Sequence, residues 1–355
     1  FTYDVALTIE DRSAPDVRGM ISTVAPGRSR ILGRDVFLVP EIAAADGILV
    51  DVSMHPAGNL AASSPSVGSR IVVPDLAELP LTLAVSGGYR ILSRNVGGVE
   101  LVFAIAEAWD FGDEEIFEIV CRIVSEEVAL FGSSPRERYL FVCDANPVRG
   151  GSRFDHYGIH YGGNMVLLLD RGLDRSELVD TPMAVIAHEF FHNWNGEALQ
   201  PEDDAFLWFT EGVTAYYSYG VLERSRVITT DQYERRRRSI GERYRDNPYA
   251  ATVAIGDAAN SDLSDRDMVN LLYDGGFLAA EAIDRRLSTE TGGRVSLIDV
   301  VRRMYESDPG AGIANETLFL RAAAELAGTD LSAFVRQVVH TPGPQTLAGD
   351  TSPLE

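Results

Sequence analysis

The sequence predicts an α+β multidomain fold with an N-terminal β-sheet or sandwich domain, a mixed middle region and a C-terminal helical domain. Residues 1–110 consist of short alternating runs separated by glycine, proline and serine. Residues 111–230 mix strand and helix patterns, and residues 231–355 carry apolar residues at helical spacing. The length of 355 residues exceeds what one hydrophobic core usually supports. We therefore expect domain boundaries near residues 110 and 230.

The first region contains alternating apolar runs that are typical of half-buried strands. The predicted strands are Tyr3–Ile9, Asp35–Val39, Gly47–Val52, Ile71–Val73 and Val99–Ala104. Because this region lacks a cluster of metal-binding or catalytic residue types, we assign it no chemistry.

The middle region begins with a helix that Asp113 is expected to cap and that stops near Gly132. Two strands follow, at Tyr139–Val142 and Met165–Leu169. Thr181-Pro182 then predicts a helix start, since proline is favoured at the first helical position. We expect that helix to run to Asn195-Gly196 and a second one to span Phe206 to Leu222.

The last region has helical spacing throughout. The predicted helices cover residues 231–246, 267–287, 297–307, 316–327 and 331–339. The basic run Arg235–Arg238 falls in the first of them and is interpreted as a solvated helix face.

The formal net charge of −22 disfavours binding to nucleic acid or to an anionic membrane surface. No run approaches the ~18 apolar residues of a membrane span. Cys121 and Cys143 either form a disulfide or remain buried free thiols. The chain begins at Phe1 instead of methionine, so we expect that a leader or flanking segment has been removed. We accordingly expect a soluble periplasmic or extracellular protein.

The segment His188-Glu189-Phe190-Phe191-His192 carries the clearest chemical signal. Histidines at positions i and i+4 project from one face of a helix, so both rings can reach one metal ion. The glutamate after the first histidine is placed to accept a proton from a water molecule activated by the metal. Glu189 is therefore the predicted general base.

Glu211 is the predicted third ligand, 19 positions after His192. The stretch between them contains glycine, proline and acidic residues that predict a turn, which lets the next helix return beside the first. Two imidazoles and one carboxylate leave the fourth position of a tetrahedral Zn²⁺ open, as in catalytic zinc sites. We expect one Zn²⁺ per chain, bound by His188, His192 and Glu211.

This motif resembles that of the gluzincin zinc aminopeptidases, the aminopeptidase N-like superfamily. The flanking residues are most similar to the glycyl aminopeptidase family: Trp194-Asn195 after the histidines, and Leu207-Trp208-Phe209 with Glu211-Gly212, Thr214 and Tyr216-Tyr217. The resemblance is strong over residues 130–220. It implies a β domain, a thermolysin-like zinc catalytic domain at 111–230 and a helical domain, here without the PDZ domain common in that family.

The resemblance also implies an oxyanion donor. These enzymes have a Tyr-x-Lys-Gly sequence that begins a late helix, and the tyrosine hydroxyl stabilises the developing charge. Tyr273-Asp274-Gly275-Gly276 matches that sequence except that Gly275 stands in place of the lysine. Tyr273 is therefore the second predicted catalytic residue.

Substrate recognition departs from the pattern of the resembling enzymes, in which a strand upstream of the motif carries a glutamate that binds the substrate's free amine. The matching stretch runs from Tyr157 to Met165 and has no glutamate. His160, Tyr161 or Asn164 takes its place, and Asp155 or Glu197 could supply a carboxylate from elsewhere. Together with these three residues, Gly158, Gly162 and Gly163 are the predicted substrate-binding positions.

Three functions stay open at this stage. The resemblance favours a zinc metallopeptidase that removes small N-terminal residues from peptides. The missing glutamate favours a zinc peptidase of altered specificity, either an endopeptidase or one that accepts a blocked N-terminus. A catalytically inactive peptide-binding relative is the third, and the intact His188, Glu189, His192 and Glu211 argue against it.

Overall fold

A computed structural model describes residues 22–37, 50–53, 60–64, 70–73, 76–146, 157–307 and 312–343. The chain divides into two compact units. Unit 1 contains Phe1–Ala129 and Ser134–Phe190, and unit 2 contains Leu130–Ser133 and Phe191–Glu355. The predicted domain boundaries at 110 and 230 stay a prediction.

Unit 1 contains a four-stranded antiparallel sheet with the order β1-β2-β6-β4. Its strands are β1 (Thr23–Ala25), β2 (Arg28–Leu32), β4 (Leu60–Ser64) and β6 (Leu83–Gly87). A short helix α1 (Gly33–Val36) follows β2, and β3 (Val50–Ser53) pairs with β5 (Arg70–Val73). A 3₁₀ segment, Leu76–Leu81, precedes β6.

A five-stranded sheet in the same unit has the order β10-β11-β9-β8-β7. Its strands are β7 (Arg90–Val96), β8 (Val99–Ile105), β9 (Arg138–Ala145), β10 (Tyr157–Tyr161) and β11 (Asn164–Leu169). The three central strands run parallel, and the two edge strands, β7 and β10, are antiparallel to their neighbours. Among the described strands, one edge of the sheet is therefore the five-residue strand β10.

The main core of unit 1 lies between these two sheets. Alternate residues of β8, β9 and β11 meet residues of β2 and β6 there. The cluster comprises Leu32, Leu83, Val85, Tyr89, Val102, Ala104, Leu140, Val142, Tyr161, Val166 and Leu168, with Ile159 packed against it. Burial of this apolar surface stabilises the sheet that carries β10.

Two helices cover the opposite face of the five-stranded sheet, α2 (Asp113–Phe131) and α4 (Thr181–Phe191). The ring of Phe117 in α2 stacks on Phe103 of β8 with centroids 5.9 Å apart. Phe190 in α4 meets Phe141 and Tyr139 of β9 at centroid distances of 5.8 and 4.9 Å. These aromatic contacts fix α4 against the sheet.

Unit 2 is mainly helical, with one two-stranded parallel pair, β12 (Gln200–Pro201) and β13 (Ile313–Ala314). Its helices are α5 (Leu207–Arg224), α6 (Thr230–Asp246), α7 (Ile255–Ala258), α8 (Arg266–Thr291), α9 (Leu297–Ser307), α10 (Glu316–Ala327) and α11 (Ser332–Val339). These bounds confirm the five helices predicted between 231 and 339. No helix in the described part of the chain is long and apolar enough to cross a membrane.

Some predicted elements differ from the structure. The strand predicted at Asp35–Val39 is wrong at its start, because Gly33–Val36 forms the helical turn α1. Helix α4 ends at Phe191, before the predicted Asn195, since the chain turns to bring residues 195 and 199 together. Two single-turn helices, α3 (Arg175–Leu178) and α7, were not predicted because they are too short to show a periodicity. The Tyr3–Ile9 prediction lies outside the described residues.

Two further expectations concern side chains, namely the two cysteines and the basic run in α6. Cys121 and Cys143 are both free and buried, so the disulfide alternative is wrong. The basic run in α6 is only partly a solvated face: Arg237 forms an ion pair with Glu281 at 2.5 Å, and the Arg236 guanidinium lies 5.5 Å from the Tyr219 ring centroid.

Candidate metal centre

Helix α4 carries the first histidine and the predicted general base. Its buried stripe, Met183, Ile186, Ala187 and Phe190, follows the i, i+3, i+4, i+7 pattern and packs inside the protein. His188 and Glu189 lie off that stripe and are half-buried. The packing of α4 thus leaves the chemistry-bearing side chains partly accessible.

His192 follows the last residue of α4 and is oriented by its own chain. Its Nδ1 atom lies 2.8 Å from the backbone carbonyl oxygen of Asn195, so Nδ1–H donates and Nε2 keeps its lone pair for a metal. Gly196 has a φ of 140°, and a side chain there would place Cβ 3.0 Å from Nδ1. A glycine is therefore required beside this ring.

Glu211 lies in the second turn of α5. Its Oε2 atom is 3.6 Å from His192 Nε2. Asn195 links the two ligands, because its fully buried side-chain amide donates to the carbonyl oxygens of Phe209 and Thr210 and to Thr214 Oγ1 at 3.1–3.2 Å. Asn195 thus orients His192 through its backbone and holds the turn that carries Glu211 through its side chain. We did not assign Asn195 a role from the sequence.

The ligand atoms of His188, His192 and Glu211 all lie within 4.8 Å of one another. Two donors that each lie about 2.1 Å from a tetrahedral zinc are roughly 3.4 Å apart, close to the separation of His192 and Glu211. Two nitrogens and one carboxylate oxygen form the donor set of catalytic zinc sites. The three predicted ligands therefore fit Zn²⁺.

Tyr273 lies inside α8, not at a helix start, because Asp265 caps that helix. Helices α5 and α8 touch backbone to backbone where Gly212 meets Gly276, and a Cβ on Gly276 would lie 2.7 Å from Gly212 Cα. Gly212 directly follows Glu211, and Tyr273 lies one turn before Gly276. This contact places the turn bearing Tyr273 beside the turn bearing Glu211.

The residue after Tyr273 is tied to another helix. The Asp274 carboxylate is buried and accepts two hydrogen bonds from Arg243 of α6, at 2.6 and 2.9 Å. Burial nevertheless raises the pKa of Asp274, and the arginine partly offsets this. The ion pair fixes α8 at Tyr273 although the lysine of the resembling sequence is absent.

Strand β10 lies against helix α4. A Cβ on Gly158 would lie 3.1 Å from Glu189 Cγ and would overlap Val185, so only glycine permits this approach. Side chains alternate along a strand, and Ile159 and Tyr161 face the core between the sheets. His160 therefore faces the same side as Gly158, toward the layer that contains α4, and it is half-buried.

The register of β10 also decides where its backbone groups point. Gly162 and Gly163, both with positive φ (48° and 84°), form a two-residue turn, so Tyr161 and Asn164 close the hairpin as a hydrogen-bonded pair. Such pairs alternate with non-hydrogen-bonded ones. Gly158 and His160 thus direct their N–H and C=O groups away from β11, toward the outer edge of the sheet.

The other candidates for the amine-binding position have different surroundings. Tyr161 is buried in the core, its hydroxyl accepts a hydrogen bond from Arg34 at 3.1 Å, and that guanidinium also lies over its ring. The side chain of Asn164 is buried and donates to the carbonyl of Leu81. Glu197 is half-buried and its backbone N–H donates to the His192 carbonyl at 2.9 Å. Asp155 lies outside the described residues.

Comparison with known proteins agrees with the resemblance seen in the sequence. The family model described as M61 glycyl aminopeptidase matches residues 181–271, which include His188, Glu189, His192 and Glu211. No curated protein matches the chain. The match supports the predicted class, a zinc-dependent metallopeptidase related to the gluzincin aminopeptidases.

Solved structures show the same fold at low sequence identity. An aminopeptidase N family protein from Idiomarina loihiensis has a TM-score of 0.76 at 16% identity, and the match covers 92% of this chain and 61% of that one. A two-domain M1 zinc metallopeptidase bound to L-tryptophan has a TM-score of 0.53 at 16% identity, over 94% and 73% of the two chains. The chain thus spans about three fifths of the first neighbour's length.

Proposed function

We propose that the chain is a zinc metallopeptidase that hydrolyses peptide bonds with Glu189 as general base. The observation that carries the proposal is the cluster of His188, His192 and Glu211, with ligand atoms within 4.8 Å of one another and the His192 tautomer fixed by Asn195. A zinc ion held by these three residues would supply a Lewis acid that polarises the scissile carbonyl and makes water a better nucleophile.

The protein's own residues carry the proton. Glu189 accepts a proton from the attacking water as its oxygen bonds to the carbonyl carbon, and then delivers that proton to the leaving amine when the C–N bond breaks. Tyr273 donates a hydrogen bond to the oxygen that becomes negative during the attack. The Arg243–Asp274 ion pair supports that tyrosine from the next residue.

Strand β10 is the proposed docking edge for the substrate. Gly158 and His160 direct backbone N–H and C=O groups outward, and an extended peptide can add to such an edge as a further strand. Because Gly158 lies beside Glu189, a peptide on this edge passes the general base.

Two specificities are compatible with this site. The family match favours an aminopeptidase for small N-terminal residues. The second candidate, a peptidase that accepts internal or blocked sequences, is favoured by the position of His160 on β10.

Hydrolysis of alanyl- and glycyl-p-nitroanilide and of internally quenched peptides by the zinc-loaded protein tests the proposal. We expect release of product from at least one substrate, with the rate abolished by a chelator and restored by zinc. A protein that is shown to hold one zinc per chain and cleaves none of these substrates would contradict the proposed peptidase.

A further inference from the structure

We propose that Glu127 makes the C-terminal end of α2 a pH-sensitive switch. In the folded protein its carboxyl group is held in the neutral form. Ionisation at higher pH opens the last turns of α2 and releases the aromatic contact that holds the turn after His192. The proposal is independent of the proposed peptidase activity, and its tests need no turnover.

The side chain of Glu127 is enclosed by the protein. Its exposed fraction is 0%, although α2 has exposed positions at Ser125 and Ala129. Both carboxyl oxygens are buried, and neither has a hydrogen-bond partner in the described part of the chain. Buried polar groups are hydrogen-bonded in the great majority of cases, so this exception needs an explanation. Because a buried carboxylate without a partner is very costly, the group takes up a proton instead.

The surroundings of Glu127 favour the neutral form. Burial raises its pKa well above the usual value, and no described charged group offsets that effect. Arg90 and Arg94 of β7 pair with Asp113 and Glu118, more than two helical turns before Glu127. These arginines therefore belong to the start of α2 and leave its end without a positive charge from β7.

Other charged groups near the end of α2 have their own partners. Arg122 and Glu126, the nearest charged residues along the helix, take part in other interactions. Arg302 of α9 donates through Nε to the carbonyl oxygen of Leu130 at 3.1 Å and pairs with Asp299 at 3.4 Å. The cation closest to the end of α2 in these contacts thus binds a backbone carbonyl and another carboxylate.

The layer between α2 and the five-stranded sheet is otherwise neutral. Burial raises the pKa of Cys121 to about 11 and that of Cys143 well above its usual value, so both thiols keep their protons while Glu127 titrates. The Tyr139 hydroxyl is bonded to Ser134 Oγ at 2.7 Å. The facing side chains of β8, β11 and α4 are apolar, among them Leu101, Phe103, Met165, Leu167 and Met183.

The end of α2 holds the turn that follows α4. Phe131 is the last residue of α2, and its ring stacks on Trp194 with centroids 4.4 Å apart. The Trp194 Nε1–H also donates to the carbonyl oxygen of Ser133 at 3.0 Å. Since Trp194 lies between His192 and Asn195, opening of this end of α2 removes a support of the turn that orients a candidate zinc ligand.

The sign of the pH effect follows from the two forms of the carboxyl group. Below the usual pKa of a glutamate, about 4.3, the group is protonated in both the folded and the unfolded chain and does not affect folding. Above that pH the unfolded chain releases the proton while the folded chain keeps it. Unfolding therefore becomes about tenfold more favourable per pH unit until the raised pKa of the folded state is reached. Because Glu127 lies one turn before the end of α2, local opening of that end ionises it at a lower cost than global unfolding.

Urea denaturation of the full chain at pH 5 and pH 8 tests the neutral state of Glu127. The unfolding constant of the wild type is divided by that of Glu127→Gln, which has the shape of the neutral acid, so titration of the other groups cancels. We expect this ratio to rise tenfold or more between the two pH values. Glu127→Met, an apolar side chain of similar length, should give the same rise. Glu114→Gln on the same helix, where the side chain is 72% exposed, should give none. A ratio that does not change with pH for both Glu127 variants would overturn the proposal.

Hydrogen exchange followed by mass spectrometry locates the opening. After correction for intrinsic exchange rates, protection of residues 124–133 and 190–196 should fall tenfold or more from pH 5 to pH 8 in the wild type, relative to Glu127→Gln. Residues 277–283 of the buried helix α8 should respond equally in both proteins. A relative loss of the same size in all three segments would show that Glu127 affects only global stability, and this result would overturn the switch. Unchanged protection at 124–133 would overturn it as well.

Discussion

Asn195 connects two of the candidate zinc ligands at the scale of single residues. Its backbone carbonyl accepts from His192 Nδ1, while its side chain donates to two carbonyl oxygens of the turn that carries Glu211. Outer partners of this kind set the orientation and basicity of metal ligands. The separation of His192 and Glu211 is therefore fixed before a metal binds.

Replacing Asn195 with alanine should weaken both stability and zinc binding. Three buried acceptors lose their donor, which costs about 1–3 kcal/mol of unfolding free energy, and zinc affinity should fall roughly 10–100-fold. Zinc affinity is measured by competition with a chromophoric chelator, and stability by urea denaturation of the metal-free protein.

Asn247→Ala is the matched control for this prediction. Asn247 is also buried and hydrogen-bonded, to the Asp267 carbonyl and the Tyr249 N–H, and neither bond involves a candidate ligand. We expect it to lose stability and keep its zinc affinity. Equal loss of zinc affinity in both variants would show that Asn195 acts only through global stability.

At the residue level, the sequence carries most information where spacing along one helix decides which side chains meet. The approach of His188 to His192 follows from the i, i+4 rule, which needs no tertiary structure. The choice among His160, Tyr161 and Asn164 for the place of the missing glutamate depends on the register of the β10–β11 hairpin. The sequence leaves that choice open, because the match to the resembling enzymes needs one gap whose position is not fixed. Glu127 is another residue whose environment the sequence does not indicate. Its carboxylate is fully buried, and this burial raises its pKa well above the usual value. Nothing in the helical pattern of the sequence indicates that this glutamate is buried.

The crossing of α5 and α8 is the element-level feature on which the site depends. Gly212 and Gly276 let the two backbones touch, and both glycines are buried. Glu211 and Tyr273 are within one turn of this crossing, so the spacing of the helices sets the spacing of a ligand and a proposed catalytic group.

Gly212→Ala should push the two helices apart. Its Cβ would overlap the backbone of Gly276, so we expect a loss of about 1–3 kcal/mol in unfolding free energy and a lower kcat. Gly220→Ala on the same helix is the control, because its Cβ meets nothing within 4 Å. That variant should gain about 0.5–1 kcal/mol from helix propensity. Urea denaturation checks both, and a stability loss of similar size at both positions would contradict the close crossing.

Long elements were predictable and short ones were not. The helices of the last region span several turns, so their apolar periodicity is visible over 8–26 residues. Helices α1 and α7 have four residues each, which is too short for a helical periodicity to be visible, and α1 interrupts a predicted strand. The end of α4 was misplaced because the stop comes from the 195–199 turn and not from a proline or glycine in the helix.

At the scale of the whole molecule, the fold class could be predicted but the assembly of the sheets could not. Strands β7 and β8 come from the run of short predicted strands and β9 to β11 from the mixed region after it, and all five pair in one sheet. Pairing of β8 with β9 joins residues that flank the long helix α2. Such a connection through a crossover helix leaves no local sequence signal beyond the alternation of the strands themselves.

The central claim is that one carboxylate binds zinc and another moves the proton, and two isosteric variants test it. Bound zinc per chain and chelator-sensitive peptide hydrolysis are measured together for the wild type, Glu189→Gln and Glu211→Gln. We predict that Glu189→Gln keeps one zinc and loses nearly all turnover, while Glu211→Gln loses zinc affinity and activity together. Substantial turnover by Glu189→Gln, or full zinc affinity in Glu211→Gln, would contradict the account.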